Sequence, residues 1–243
     1  MMTITAGAVT HAGLVRSANE DSLVTTPQFA AVADGMGGHA AGEVASRIAV
    51  ESIAELAAHP MPQPDDVIEA IARANQRILE QGAAHLEFAG MGTTLSGIGL
   101  LTVANSPQWI VYNVGDSRVY RHADGSLAQV TVDHSEVEEL RAAGQLSDDE
   151  ARHYPRRNVV TRSLGSDPPP RPDVWVFPPQ PGERFVICSD GLNLEVSDAE
   201  IASVIEERRD PYEAANLLVE RALAAGGRDN VTAIVVALDA TNG

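Results

Sequence analysis

The chain contains no lysine and only one cysteine among its 243 residues, and each shortage excludes a type of chemistry. Without lysine, the protein can form no lysine Schiff base and has no Walker-type lysine to hold a nucleotide phosphate. The single thiol, Cys188, excludes an internal disulfide bond and any zinc site that needs several thiolates. Because Cys188 lies between Ile187 and Ser189, we predict a small buried strand residue and not a reactive thiol.

Positive charge and long apolar runs are also scarce. Seventeen arginines face 34 acidic residues, which gives a net charge of -17 and argues against non-specific binding to nucleic acid or anionic lipid. No run approaches the roughly 20 apolar residues that span a bilayer, and the first residues do not resemble a signal peptide. We therefore expect a cytoplasmic protein with no nucleic-acid or membrane partner. A phosphorylated substrate stays possible, because a bound metal can outweigh the global charge locally.

The apolar content of 44% suffices for one domain with a full core, and we treat residues 1–243 as a single domain. Apolar periodicity predicts helices within 43–58, from Pro64, after Ser197 and after Asp210. Hairpin-linked strands with helices in sequential pairs indicate an α+β layered domain, with Asp124-Gly125 as one hairpin turn. The predicted strands are 24–26, 29–33, 93–103, 109–114, 118–122, 128–132, 174–177, 184–188 and 231–238.

A polar segment at about residues 134–160 differs from the rest of the chain. Ser135 and Ser147 each precede a short helical pattern, and few apolar residues are present to form a core. Polar inserts of this kind often face the substrate, so we predict a flap subdomain beside the functional site. His134 is expected to hold the base of this flap by hydrogen bonding.

Three aspartates stand next to glycines where apolar strands end, Asp34, Asp116 and Asp190, and a fourth, Asp229, comes just before the apolar run 231–238. Carboxylates at the ends of buried strands are costly unless a cation gathers them. With no histidine or cysteine cluster beside them, the simplest cation is a hard metal such as Mg²⁺ or Mn²⁺. The pattern predicts a multi-metal site assembled from distant parts of the chain. Turn carboxylates that cap strands or helices are the alternative reading.

Two divalent ions close together can polarise a phosphoryl oxygen and hold a bridging hydroxide for in-line attack. Such a site also needs an arginine that binds the phosphate dianion through two hydrogen bonds. Arg16, five residues before Asp21, is the best candidate, although a structural ion pair with Glu20 would also explain it.

Eight short blocks of the sequence together resemble bacterial type 2C (PPM family) serine/threonine protein phosphatases, from about Thr5 to Leu238. One Asp-Gly pair is a common turn, whereas eight blocks in the family's order are specific. The blocks are Arg16-x-x-Asn19-Glu20-Asp21, Val32-Ala-Asp34-Gly35-Met-Gly37-Gly38, Met91-Gly-Thr-Thr94, Asn113-Val-Gly-Asp116-Ser-Arg118, Asp133-His134-Ser135, Val160-Thr-Arg-Ser-Leu-Gly165, Ser189-Asp190-Gly191 and Arg228-Asp229-Asn230.

The resemblance implies a central β-sandwich of two antiparallel sheets, flanked on both sides by pairs of α-helices, with metals in a cleft at one end. It implies that Asp34 bridges two core Mn²⁺ or Mg²⁺ ions and that the Gly35 carbonyl binds one of them. Asp190 and Asp229 would complete this set. Asp116, together with Asp190, would hold a third and weaker ion.

The remaining implied roles concern substrate and water. Asp21, with Glu20 as a further candidate, would hold metal-bound water, and Arg16 would bind the phosphate. Hydroxide bridging the two metals would attack phosphoserine or phosphothreonine in proteins without forming a phosphoenzyme. The implied protein is a monomer that opposes serine/threonine kinases and acts on their phosphorylated substrates.

The sequence departs from the family at two places. Met36 occupies the position where animal enzymes carry a histidine proposed as general acid, which leaves His39 as a weak candidate proton donor. After Asp190-Gly191, Leu192-Asn-Leu-Glu195 replaces the more frequent Thr-Asn or Thr-Asp, so we expect an altered cleft wall. An arginine cluster on the flap is a candidate phosphopeptide contact, with a solvated surface as the alternative; its members are Arg156, Arg157 and Arg162.

Three other functions remain open from sequence. The enzyme could be a regulatory phosphatase specific for one phosphoprotein, or a small-molecule phosphatase with the same reactive centre. A pseudophosphatase that binds without turnover is a third reading, against which the intact set of acidic residues argues.

Overall fold

The computed structural model describes residues 3–37 and 40–238, and its strands form two antiparallel sheets that face each other. The strands are β1 (Ile4–His11), β2 (Asp21–Thr25), β3 (Phe29–Met36), β4 (Gly92–Thr93), β5 (Leu95–Val103), β6 (Ser106–Val114), β7 (Arg118–Ala123), β8 (Ser126–Gln129), β9 (Asp173–Phe177), β10 (Arg184–Cys188) and β11 (Val231–Leu238). The helices are α1 (Ala40–Ala57), α2 (Pro64–Ala84), α3 (Glu136–Ala142), α4 (Asp148–Arg152), α5 (Asp190–Asn193), α6 (Asp198–Glu207) and α7 (Pro211–Ala225).

The two sheets have different strand orders. The first runs β1-β11-β10-β7-β8, and the second runs β2-β3-β5-β6-β9 with β4 paired to β3. Helices α1 and α2 pack together on the second sheet, while α6 and α7 pack on the first. The predicted α+β sandwich flanked by helix pairs is therefore confirmed.

Strand β3 shows why the interior strands read as continuous apolar runs. Phe29, Ala31 and Ala33 contact the layer of α1 and α2, whereas Ala30 and Val32 face the other sheet. Because both faces of the strand are buried, consecutive residues are apolar, and the strand lacks the alternation of apolar and polar residues that a half-exposed strand shows. Burial on both faces continues as far as Ala33, and Asp34 and Gly35 follow within the last residues of the strand.

The predicted starts of α6 and α7 are confirmed in detail. Ser197 accepts a hydrogen bond from the Glu200 amide at 3.4 Å, and the Glu200 carboxylate accepts one from the Ser197 amide at 2.9 Å. Asp210 accepts from the Glu213 amide at 2.9 Å, and Pro211 occupies the first helical position. These contacts satisfy amides that have no partner within the first turn of a helix.

The Asp124-Gly125 hairpin joins β7 to β8 as predicted, with φ of 52° and 73° at its two central residues. The strand predicted at 128–132 is wrong in its bounds, because β8 covers Ser126–Gln129. The Thr131 hydroxyl accepts from the Val119 amide at 3.1 Å in place of a backbone carbonyl. At Thr131, two residues after β8, a side-chain hydrogen bond therefore replaces the regular backbone pairing with β7.

Strand β1 was absent from the predicted strands, yet it pairs with β11 along its whole length. Its centre consists of small residues because the start of α7 crosses it closely. A Cβ on Gly7 would lie 2.1 Å from the Tyr212 amide nitrogen. Close helix packing thus selected a composition that carries little strand signal.

The polar segment at about 134–160 contains α3 and α4, and a β-bridge between Ser135 and Val160 closes its base. Ser135 and Ser147 cap the two helices as predicted, each accepting from an amide three residues later. Across the described residues, no helix combines the length and apolar character needed to cross a membrane.

Candidate active site

Five aspartates from different strands meet at one end of the sandwich. Asp21 begins β2 and lies opposite Asp34 on β3 in the strand register. Asp190 follows β10, Asp229 precedes β11, and Asp116 follows β6. In antiparallel sheets the end of one strand lies beside the start of its neighbour, so the topology brings together residues that are more than 200 positions apart.

Asp34 lies at the centre of the group. The Asp190 carboxyl group is within hydrogen-bonding reach of Asp34. Burial raises the pKa of Asp34 well above its usual range, and repulsion from Asp21, Asp190, Asp116 and Asp229 raises it further. All four neighbours therefore lie close enough to oppose a negative charge on Asp34.

Asp21 is buried and only half satisfied. Its Oδ2 atom accepts hydrogen bonds from the Ser189 hydroxyl at 2.7 Å and the Thr232 hydroxyl at 2.6 Å. Its Oδ1 atom is buried and meets no hydrogen-bond donor among the described residues. Burial raises the pKa of Asp21 to about 7, and the two hydroxyl bonds only partly offset this effect.

The other two perturbed carboxyls show the same pattern. Burial raises the pKa of Asp116 to about 8, with repulsion from Asp190 and Asp133 as the next causes. Burial also raises the pKa of Asp190 to about 6, and repulsion from Asp229 adds to it. Each shift reports a carboxyl held in a dry place among like charges, where a cation would be favourable.

Two arginines border the cleft. Arg16 donates a hydrogen bond to Asp229 Oδ2 at 2.7 Å, so its partner is Asp229 and not the Glu20 considered from sequence. The Arg16 side chain is 57% exposed, and its charge interacts with Asp190 and Asp34 as well as with Asp229. Arg118 binds Asp133 through both Nε and Nη2, at 3.0 and 2.7 Å, and its charge also favours ionised Asp116.

Gly35 allows the chain to pass between two other backbone segments. A Cβ at this position would lie 2.2 Å from the Gly42 carbonyl oxygen and 2.7 Å from the Glu20 carbonyl oxygen. The Gly35 amide also donates to the Glu20 carbonyl at 3.2 Å. Only glycine fits this close approach, which keeps Asp34 near β2.

Asn230 is a site residue whose role sequence reasoning missed. Its side-chain amide donates to the carbonyls of Ala12 and Ala18 at 3.0 and 2.8 Å, and its Oδ1 accepts from the Glu20 amide at 2.9 Å. These bonds hold the loop that carries Arg16 against the strand that begins after Asp229. The only sequence signal was its place directly after Asp229.

A second missed group is a chain of buried hydroxyls behind Asp34. Thr94 Oγ1 accepts from the Asp34 amide at 2.9 Å and shares a 2.7 Å hydrogen bond with Ser117, next to Asp116.

His134 Nδ1 accepts from the Gly115 amide at 3.0 Å, and its Nε2 lies 3.1 Å from Asp173. The predicted hydrogen-bonding role of His134 at the segment's base is therefore confirmed.

Other predicted residues lie elsewhere or outside the described chain. The Glu20 carboxylate packs against Gly42 in α1, and His39 with Gly38 lies outside the described residues. The predicted arginine cluster is divided among separate partners. Arg156 pairs with Glu136 at 2.8 Å, Arg162 pairs with Asp173 at 3.0 Å, and Arg157 lines a cavity.

That cavity opens directly beside the aspartates. It has a volume of about 850 Å³ and shares Asp116 and Asp190 with the site. Its walls come from the 134–160 segment on one side and from α5 and the start of α6 on the other, including Arg157 and Leu194. A peptide-sized groove therefore leads to the acidic cluster.

The donor set suits a hard divalent cation. Every ionisable candidate is a carboxylate, and Asp21 Oδ1 is a buried oxygen without a donor in the described chain. Among the described residues, no three His, Cys, Asp or Glu side chains already converge as ligands of one point. Mg²⁺ and Mn²⁺ match such oxygen sites and tolerate water as additional ligands.

The raised pKa values predict how the metal-free protein responds to pH. Each of these carboxyls stays protonated in the folded state to a higher pH than in the unfolded chain. Its contribution to stability is therefore complete below the unfolded pKa of about 4 and is lost progressively up to the folded pKa, which is about 6 for Asp190, about 7 for Asp21 and about 8 for Asp116. In EDTA, we expect the Tm to fall by about 3–5 °C per pH unit for each such group while the pH lies between its unfolded and folded pKa, so that Asp190 contributes below about pH 6 and Asp116 contributes up to about pH 8. Asp116→Asn should reduce that slope, and an unchanged slope would contradict the assignment.

Comparison with known proteins gives a consistent result. The family model described as protein phosphatase 2C matches residues 16–225. The chain is 34% identical to the serine/threonine phosphatase Stp of Listeria monocytogenes over 245 residues, covering 96% of this chain and 95% of that protein.

Two solved structures are similar throughout. The serine/threonine phosphatase PstP/Ppp of Mycobacterium tuberculosis superposes with a TM-score of 0.90 and 35% identity, covering 96% of this chain and 98% of that one. The catalytic domain of the phosphatase PstP in complex with two manganese ions superposes with a TM-score of 0.88 and 34% identity. The match covers 98% of this chain and 99% of that one.

Proposed function

The chain belongs to the protein phosphatase 2C family of metal-dependent serine/threonine phosphatases, and on that basis we propose that it hydrolyses phosphoserine and phosphothreonine in proteins through two divalent ions held by its aspartates. One observation carries the proposal. Asp34 lies among four other carboxyls that oppose its ionisation, beside a groove of about 850 Å³. Divalent cations in the cleft would offset this repulsion and keep the carboxyls ionised.

The residues that would hold the two core ions are Asp34 and the Gly35 carbonyl, with Asp190 and Asp229. When bound, the two ions lower the pKa of water between them and polarise the phosphoryl oxygens, which is the chemistry of a two-metal hydrolase. The manganese ions in the similar PstP structure support this assignment. Asp21, with its unpartnered Oδ1, is suited to orient a water in the same space.

Arg16 would bind the substrate phosphate. Its guanidinium donates one hydrogen bond to Asp229 at 2.7 Å, interacts electrostatically with Asp34 and Asp190, and is 57% exposed. A guanidinium held in this way can direct its other donors at two phosphate oxygens without leaving its carboxylate. Asp229 would thus serve both the metal and the arginine.

The groove would receive the peptide on either side of the phosphorylated residue. In this proposal the 134–160 segment acts as a flap that forms one wall, with His134 fixing its base to the Gly115 amide. Asp116 and Asp190 both line the groove, so the third and weaker ion proposed for this pair would lie on the path of the substrate.

The proposal also covers the partners, the oligomeric state, the compartment and the choice of metal. The partners would be phosphorylated proteins, including a serine/threonine kinase and its substrates. The net charge of -17 favours a soluble monomer, and the single buried Cys188 suits a reducing cytoplasm. Magnesium is proposed as an alternative to manganese because both ions prefer carboxylate oxygens.

The test is hydrolysis of three kinds of substrate by the wild-type protein with Mn²⁺, with Mg²⁺ and with EDTA. The substrates are a phosphothreonine peptide, a phosphoserine peptide and a panel of small phosphate esters. We expect metal-dependent release of phosphate from both peptides. Hydrolysis restricted to small metabolites, or Mn²⁺ binding without hydrolysis of any ester, would overturn the proposal in favour of a small-molecule phosphatase or a pseudophosphatase.

Arg16→Ala should raise the KM for a phosphothreonine peptide by about tenfold or more, because a charge-assisted hydrogen bond contributes about 1.5–3 kcal/mol. The protein should remain folded, since the Arg16 side chain is largely exposed. Steady-state kinetics at saturating Mn²⁺ measure the effect. Arg73→Ala on α2, which removes an equally exposed guanidinium, is the matched control. A KM within twofold of wild type for Arg16→Ala would contradict the role.

A further inference from the structure

Glu195 and Arg228 form an ion pair between the two segments that carry Asp190 and Asp229. Arg228 donates from Nε and Nη2 to the two Glu195 oxygens, both at 2.8 Å, and its backbone amide donates to the same carboxylate at 3.3 Å. Glu195 therefore binds both the side chain and the backbone of the residue directly before Asp229. Such a two-pronged contact fixes orientation as well as distance.

The path from Glu195 to Asp190 is short and stiff. Helix α5 begins at Asp190, and the Leu194 amide donates to the Asp190 carbonyl at 2.9 Å. The Glu195 amide then donates to the Leu192 carbonyl at 3.1 Å. The Glu195 side chain is only 4% exposed, so packing restricts it to one position.

The other segment has reasons to move. Gly226 and Gly227 both have positive φ, 149° and 51°, and they precede Arg228 directly. A pair of glycines leaves the backbone free to adopt other conformations. Asp229 and Asp190 also repel each other, which would push their segments apart. Among the described residues, the pair of Glu195 with Arg228 is the only ion pair that joins these segments.

We propose that Glu195 and Arg228 act as a clamp that positions Asp190 and Asp229 relative to each other and so sets the affinity of the metal site. This inference rests on the metal-binding function proposed above. Neither clamp residue is part of the ligand set: Arg228 is 71% exposed, and Glu195 lies two residues beyond α5. Both act through the aspartates that they position.

The test is a double-mutant cycle with Glu195→Gln, Arg228→Gln and the double variant, measured as Mn²⁺ affinity by calorimetry. Each single variant should bind Mn²⁺ about tenfold more weakly, the usual effect of losing a partner that orients a ligand. The double variant should lose no more than the larger single loss, because both changes remove one interaction. Additive losses, or affinities within twofold of wild type, would overturn the clamp.

Further readouts separate positioning from a general loss of stability. At saturating Mn²⁺, Glu195→Gln should regain a kcat within about twofold of wild type. In EDTA, amide hydrogen exchange should quicken in residues 226–230 and not in the sheets. Arg73→Gln, which removes an exposed pair at 3.7 Å on α2, is the control. If the wild type itself binds no Mn²⁺, the proposed function fails with the clamp, whereas unchanged affinity in the variants alone overturns only the clamp.

Discussion

Asp34→Asn is expected to reduce kcat/KM for a phosphothreonine peptide by at least about 1,000-fold at saturating Mn²⁺. Bound metals contribute several kcal/mol to a phosphoryl-transfer transition state, and each 1.36 kcal/mol corresponds to a factor of ten in rate. Asn keeps the size of the side chain but lacks the charge that would hold two cations. The lost activity should therefore come with weaker Mn²⁺ binding.

The same substitution should not destabilise the metal-free protein. Burial and four neighbouring carboxyls disfavour a charge on Asp34, so a neutral amide relieves that repulsion. We expect a Tm in EDTA at or above that of wild type. Asp124→Asn in the β7–β8 hairpin is the matched control, because Asn tolerates its φ of 52° and the site is remote. An Asp34→Asn enzyme that keeps more than a tenth of the activity would contradict the two-metal account.

Glu183→Ala is expected to cost about 3–5 kcal/mol of the free energy of unfolding, which is the usual result of breaking a buried ion pair from one side. The Glu183 carboxylate is fully buried and accepts hydrogen bonds from Trp109 Nε1, from Arg121 Nε at 2.7 Å and from the Gln180 amide at 2.6 Å. Removal would leave all three donors unsatisfied, with the Arg121 charge above the Phe177 ring at 5.0 Å.

Urea denaturation and calorimetry measure this loss, which corresponds to a decrease in Tm of about 6–20 °C for a domain of this size. Glu183→Gln should cost less, since the amide oxygen can still accept from one donor. Glu69→Ala, which removes an exposed pair with Arg73, should cost less than about 1 kcal/mol. Because Glu183 lies at the opposite end of β10 from Asp190, kcat should not change below the transition. Glu183→Ala as stable as wild type would refute this account.

Helices and hairpins with local signals were predictable from sequence. Each of these signals acts within four residues, so it can be recognised from the sequence alone. The examples are Ser197 with Glu200, Asp210 with Pro211, and the Asp124-Gly125 turn. Strand β1 was missed because its small residues are required by the close packing of α7, which is about 200 positions away in the sequence. The end of β8 was misplaced because, although the Val130 amide still donates to the Val119 carbonyl, the Val119 amide donates to the Thr131 hydroxyl and not to a backbone carbonyl.

In the candidate site, too, some features could be predicted from local sequence and others depend on distant contacts. Asp34, Asp116 and Asp190 were predicted because each follows an apolar strand, and Asp229 because it precedes one. The role of Asp21 came only from the resemblance to a family. The supports of the site were not predictable, since Asn230, Thr94 and Glu195 reach their partners across the fold. The role of Arg16 was also open between phosphate binding and an ion pair with Glu20, and the structure pairs it with Asp229, which was not considered. Only the tertiary fold determines which of several polar neighbours becomes a partner.

The most direct test of the central claim is a crystal structure of the wild-type protein soaked in Mn²⁺, with an anomalous difference map at a wavelength where manganese scatters strongly. The account predicts two strong peaks, each within about 2.5 Å of oxygens from Asp34, Asp190, Asp229 or the Gly35 carbonyl. Asp34→Asn crystals should lose one or both peaks. A map without peaks among these aspartates, from crystals of protein that hydrolyses phosphopeptides, would contradict the assignment of the site.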